Sequence, residues 1–196
     1  MTTITFPSTP KPATMSWKLI QPSQTNISTW TGKRQVMASN RGWWECQIGM
    51  PPIVGTTNFN TWRSFMAQAR GSTNDFQVPV DPTAQSSATA TPLVNGASQT
   101  GRSIITDGWP NSSTVLVAGQ FITIGNQLLQ LTAAVTSNGS GQATVTFEPS
   151  IRVSPADNAA IEFKNPYALM YFAEDPGYSV EPGYIYNIAF NMRECF

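Results

Sequence analysis

Tyr184-Ile185-Tyr186-Asn187-Ile188-Ala189-Phe190-Asn191-Met192-Arg193 sets Tyr184, Tyr186, Ile188, Phe190 and Met192 at every second position. Ile185, Asn187, Ala189, Asn191 and Arg193 fall between them. A period of two belongs to a strand with one buried face, so this run predicts a long strand in the core of a sheet. The same aromatic-rich texture marks Tyr167 to Phe172 and the chain from Met1 to about Pro82, but not the middle. There, Thr83 to Ala90 reads Thr-Ala-Gln-Ser-Ser-Ala-Thr-Ala, a small polar stretch with the composition of a linker. Short strand candidates with few aromatic residues follow as far as Phe163. The expectation is a mainly β protein whose first unit is a β-sandwich with one packed helix, assembled from residues 1–85 and 164–196. A small β-barrel or sandwich, 86–163, is inserted through a loop, as chains tolerate where the ends of an insertion meet at a surface.

Within the first unit, Ser16 to Gln21 and Gly42 to Ile48 carry aromatic residues in rough alternation, as half-buried strands do. Thr31-Gly32-Lys33-Arg34 supplies a turn between them, ahead of Gln35-Val36-Met37. Phe59, Trp62, Phe65, Met66 and Ala69 recur at helical spacing. Thr56 or Thr57 is placed to cap that helix and Gly71 to end it. In the middle, Gly125-Asn126 between Phe121–Ile124 and Leu128–Leu131 predicts a hairpin with a type II′ turn. A second hairpin is expected from Ala133-Ala134-Val135 to Ala143–Phe147.

Charged residues make up 11% of the 196, with 11 basic and 11 acidic side chains and a formal net charge of zero. An average soluble protein carries about 25%, so a polar surface this poor in charge suits a chain covered by partner subunits. No basic stripe interleaved with aromatic residues offers phosphate neutralisation, which argues against nucleic-acid binding. No apolar run reaches the roughly 18–20 residues of a membrane span, and Met1 to Pro7 does not read as a signal peptide. The expectation is synthesis in the cytoplasm with no membrane insertion. Cys46 shares a strand face with Trp44 and Ile48, whereas Cys195 falls out of phase with the terminal alternation. Two buried or half-buried thiols are expected rather than a disulfide.

The chain contains no histidine, which removes Ser-His-Asp and Cys-His catalysis, histidine metal sites and imidazole acid–base chemistry together. No phosphate loop of the G-x-x-x-x-G-K-[ST] form occurs. Glu174-Asp175 and Glu181 gather three carboxylates in one predicted loop, the remaining opening for a glycoside-hydrolase pair, although a solvated acidic turn explains them equally. Asp107 and Asp157 sit in turn-like contexts and read as local turn formers. Trp43 and Trp44 must point to opposite faces of one strand, so one of the two is expected outside the local core. Trp109, between Gly108 and Pro110, reads as a plug for the small barrel, with ligand contact as the alternative. Trp43, Trp44 and Trp109 are the interface candidates, because tryptophan is favoured at the centres of protein contacts. No catalytic, cofactor or metal-ligating residue is expected.

A set of strings in fixed order resembles the distal tail proteins of long-tailed, siphovirus-type bacteriophages. In the first unit these are Trp17, Thr31-Gly32-Lys33-Arg34-Gln35, Trp43-Trp44-Glu45, Met50-Pro51-Pro52, and the helix with Trp62 and Phe65 ending at Arg70-Gly71. In the middle they are V-N-G-A-S-Q-T-G (Val94 to Gly101), D-G-W-P (Asp107 to Pro110), Val115 to Gly125, Val135 to Pro149, and S-P-A-D-N-A (Ser154 to Ala159). The resemblance spans nearly the whole chain. It implies a tail-tube-like split sandwich with an inserted β-domain, and a non-enzymatic structural virion protein at the distal end of the tail. The implied partners are copies of itself in a homohexameric ring, the tail-tube protein on one side and tail-tip or baseplate hub proteins on the other, with DNA only as passing cargo. The alternative is a carbohydrate- or receptor-binding protein of the tail tip.

Overall fold

A computed structural model describes residues 2–195. In chain order, β1 (Thr3–Ile4) and β2 (Thr14–Ile20) lead into β3 (Ser23–Ile27) and β4 (Arg34–Ala38), then β5 (Trp43–Gly49), β6 (Ile53–Val54), helix α1 (Thr56–Ala69) and β7 (Asp75–Pro79). The middle holds β8 (Leu93–Val94), β9 (Gly101–Asp107), β10 (Thr114–Leu116), β11 (Phe121–Ile124), β12 (Gln127–Leu131), β13 (Val135–Thr136), β14 (Ala143–Ile151) and β15 (Ile161–Glu162). The chain then closes with β16 (Tyr167–Phe172), β17 (Gly177–Glu181) and β18 (Ile185–Glu194).

The protein is mainly β with one helix, and it has two principal sheets. The first is mixed and eight-stranded, in the order β1-β7-β16-β18-β5-β2, with β17 and β6 both paired to β18. The second is a six-stranded antiparallel sheet, β15-β11-β12-β14-β9-β8, that curls into a nearly closed barrel. A bridge between Leu93 and Ala160 brings its two edges towards each other. All strands of the first sheet come from residues before 80 or after 166, and all strands of the barrel lie between. Gln85 joins the two ends of the middle segment: its backbone N–H donates to Lys164 O (2.9 Å), and its side chain bonds to the backbone of Phe121 and Phe163. The stretch read as a featureless linker therefore carries a specific clasp.

Strand β18 behaves as its alternation demands. Tyr186, Ile188, Phe190 and Met192 are buried and the residues between them are not. Opposite this face α1 lays Phe59, Trp62, Phe65, Met66 and Ala69, all buried. Aromatic contacts fill the layer between: Phe59 stacks on Tyr186 at 3.9 Å, and Phe65 and Phe190 both pack on Phe172. Burying side chains of this size contributes about 1.5–3 kcal/mol each. Tyr184 departs from the series. It lies outside the strand with φ 59° and is exposed.

Local chemistry corrects several expectations. Neither Thr56 nor Thr57 caps α1; Gly55 does, at φ 86°, with no side-chain cap, while its N–H donates to Tyr184 O. A backbone turning from β6 into the helix at that φ needs glycine. Arg70 is the C-cap, left-handed at φ 51°, and Gly71 after it is left-handed as expected, at φ 63°. Gly125 and Asn126 both have positive φ, 54° and 68°, so the turn is type I′ rather than II′. Strand β13 pairs with β10 rather than with β14, whose partners are β9 and β12. Asp157 is not a purely local turn former, because its carboxylate accepts from the Gly96 N–H at 2.8 Å. Cys46 is buried and Cys195 half-buried, and no disulfide joins them. Among the described residues no helix is long and apolar enough to cross a membrane.

Candidate functional site

Strands β2 and β5 pair along the edge of the first sheet, from Thr14 opposite Gly49 to Ile20 opposite Trp43. Beyond that point the two chains leave the sheet together as β3 and β4, which pair only with each other. They form an arm. Every residue from Ser23 to Arg41 is exposed, nineteen in succession. Its register places Thr25 opposite Val36 and Ile27 opposite Arg34 on one face, with Gln24 opposite Met37 and Asn26 opposite Gln35 on the other. At the tip Trp30 is 96% exposed, and Ile27, Val36 and Met37 are exposed along the strands. A lone two-stranded hairpin is marginal in water, and this one turns its large apolar side chains to solvent.

The base of the arm is held by the barrel. Ser150 Oγ donates to Asn40 O, Gln21 Nε2 donates to Glu148 Oε2 (2.9 Å), and the Arg152 guanidinium donates to Gly42 O (2.9 and 3.2 Å). Gly42 approaches so closely that a Cβ there would lie 2.8 Å from Pro149 Cβ. Arg102 completes the bracket with an ion pair to Glu148 at 2.7 Å.

Beneath the bracket lies Glu194, fully buried. Its carboxylate accepts from the N–H groups of Trp44 (3.0 Å) and Leu128 (3.1 Å) and pairs with Arg152. Burial pushes this carboxyl above its usual range, while Arg152 and the two N–H donors pull it back. One side chain thus links β18, β5, β12 and the end of β14. Trp44 adds to the junction by donating its indole N–H to Leu128 O at 3.0 Å.

A second exposed surface surrounds the β17–β18 turn. Tyr178 and Val180 lie on β17, an edge strand paired only with β18, and Tyr184 and Val54 flank the tip. Arg63 of α1 lies over the Tyr178 ring at 5.4 Å and donates to its hydroxyl. Eleven large apolar side chains are exposed among the described residues, and eight of them belong to the arm or to this tip. Glu174, Asp175 and Glu181, the carboxylates that sequence gathered into one loop, are all exposed but are parted by β17: Glu181 lies at the tip and accepts from Asn187, whereas Glu174 accepts from Asn191 and Asp175 lies beside Gly71, at the other end of that strand. Among the described residues no group of three or more His, Cys, Asp or Glu side chains is placed to hold a metal ion.

The three tryptophans singled out from sequence lie in different places. Trp44 and Trp109 are buried, at 3% and 4% exposure, and offer a partner almost no surface. Trp109 does plug the barrel: its indole N–H donates to Thr106 Oγ1 at 2.8 Å and its ring packs edge-on against Phe163. No ring face is left there for a sugar. Trp43 is partly exposed, with Arg193 over its ring at 4.3 Å and its N–H donated to Glu45. Sequence reasoning passed over Trp30. The available signal was a tryptophan beside a turn, within a polar stretch that supplies it no apolar partner. No model of a known protein family matches the chain, and a comparison with curated proteins finds no match.

Proposed function

We propose that this chain is a non-enzymatic structural subunit that assembles with copies of itself into a ring, joining the tube of a phage tail to the tip or baseplate hub at its distal end. The assignment to a phage tail rests on the resemblance of its strings to distal tail proteins. The observation that carries the assembly reading is the arm, a nineteen-residue exposed hairpin tipped by Trp30. A closed ring needs two different surfaces on each subunit, one for each neighbour, and the arm and the β17–β18 tip are two such surfaces. Residues 1–85 and 164–196 are the ring-forming unit in this proposal, and 86–163 is an insertion that braces the arm. Separation of the two apolar cores supports that division, with Leu128 and Phe121 as the barrel residues that pack on the first core. Sedimentation velocity and negative-stain imaging of the full chain, alone and with the tail-tube protein, test it. Rings of six are expected, and a chain that stays monomeric at high concentration under both conditions refutes it.

A further inference from the structure

We infer that the inserted barrel aims the arm: residues 148–152 clamp both of its stems, and Arg152 ties that clamp to the seat of the barrel on the first sheet. The inference deepens the assembly reading, on which it rests only for what the arm meets.

The stems are residues 21–22, between β2 and β3, and 39–42, between β4 and β5. The Ser39 N–H donates to Pro22 O at 2.8 Å, so the two stems move together. Strands β3 and β4 pair only with each other, and every residue from Ser23 to Arg41 is exposed. The direction of the arm is therefore fixed at its stems rather than by packing along its length. Among the described residues, the side-chain hydrogen bonds that hold the stems to the body all involve one end of the barrel: Gln21 with Glu148, Asn40 with Ser150, and Gly42 with Arg152.

That end is itself held within the barrel. Gln127 of β12 is buried, donates to Ser150 O at 2.9 Å and accepts from the Arg152 N–H at 3.0 Å, while Arg102 of β9 pairs with Glu148. The clamp thus moves with the barrel and not as a free loop.

Arg152 joins the clamp to the seat. Its guanidinium donates to Gly42 O and also pairs with Glu194, the buried carboxylate of β18 that accepts from Leu128 of the barrel. Contacts that share one side chain in a single network are energetically coupled. A barrel that shifts on the sheet carries Arg152 with it, and the Gly42 stem follows.

The test places spin labels on T31C, at the exposed end of the arm, and on N60C, exposed on α1, in a full-length C195S chain whose Cys46 is buried and stays unlabelled. Labelled chain is diluted into unlabelled chain, so that pulsed dipolar spectroscopy reads distances within one molecule. One narrow distribution is expected for this reference. Q21A/S150A removes two clamp bonds without touching Glu194, and the fraction of arms away from the held position should rise about tenfold or more. E194Q touches neither stem, yet it weakens the hold on Arg152 and should raise the same fraction. W109A loosens the barrel beside Gly141 and Thr106, at the other end of β14 and β9, and should leave the distribution unchanged. Circular dichroism before freezing confirms that each variant is folded. A reference distribution that is already broad, or one that stays narrow in Q21A/S150A, overturns the clamp. No response to E194Q, or an equal response to W109A, overturns the coupling through Arg152. The ring reading survives either result, whereas a chain that shows the expected responses but stays monomeric in sedimentation loses the ring reading alone.

Discussion

Replacing Glu194 by alanine removes a carboxylate that holds two backbone N–H groups and a guanidinium at the junction of the sheet and the barrel. Breaking a buried ion pair by deleting one partner costs about 3–5 kcal/mol. Each orphaned buried N–H costs about 1–3 kcal/mol, and these costs overlap because the same carboxylate serves all three donors. The expected loss for E194A is about 3–5 kcal/mol, or roughly 6–20 °C in thermal midpoint for a chain of this length. Its counterpart R152M leaves the carboxylate buried without the guanidinium, which pushes its titration still further up. A carboxyl whose folded pKa lies above its unfolded value binds more protons when folded. Its contribution is therefore most favourable below the ordinary carboxylate range, about 4.3, and is lost as pH rises through the folded pKa. The deficit of R152M relative to the unaltered chain should accordingly grow between about pH 4.5 and about pH 8, whereas that of E194A, which has no carboxyl to titrate, should not follow that rise. Urea unfolding followed by tryptophan fluorescence at the two pH values measures both. A cost below about 1 kcal/mol for E194A, or identical pH profiles for the two variants, refutes the reasoning.

Three further outcomes follow from single residues. W30A should change the stability of the isolated chain by less than about 0.5 kcal/mol, since Trp30 is 96% exposed. The same change should weaken self-association about tenfold or more, as loss of an interface anchor does, and sedimentation across a concentration series reads that effect. W109A should lower stability by about 3–5 kcal/mol in thermal or urea unfolding, because the indole fills the barrel and its N–H is bonded to Thr106. Burial pushes the Cys46 thiol up to about 12, so in the folded protein it should resist a thiolate-selective reagent at mildly alkaline pH and react on unfolding, as a labelling time course checks.

The strand from Ile185 to Glu194 was legible because burial of one face forces a period of two, and α1 because the opposing layer demands 3.6. Two textures in one chain marked two apolar cores for a similar reason, since side chains that pack together are selected for size together. Turn and cap details were less legible. A type I′ and a type II′ turn differ by a flip of the peptide between Gly125 and Asn126, and Gly55 caps the helix because the chain must turn there from β6, a constraint absent from the residues themselves. Glu194 was invisible as a junction residue, for its partners Trp44, Leu128 and Arg152 are far away in sequence and meet only when the barrel seats on the sheet.

Trp44 and Trp30 divide the two kinds of knowledge. Alternation alone required that Trp43 and Trp44 point opposite ways, and sequence by itself determined that one of them would leave the local core. Which one did so was settled by the barrel, whose Leu128 carbonyl accepts the Trp44 indole N–H and closes that face. Trp30 lies in a hairpin whose strands look like any polar β-pair, and neither period nor composition distinguishes a hairpin folded back on the sheet from one that projects. The segment from the bend at Asn40 to Gly42, held by Ser150, Arg152 and Pro149 from more than a hundred positions later, joins the arm to the body and leaves Trp30 in solvent. Local periodicity is written within a few neighbouring residues, whereas exposure depends on what the rest of the chain brings to cover them, and only the tertiary structure decides that.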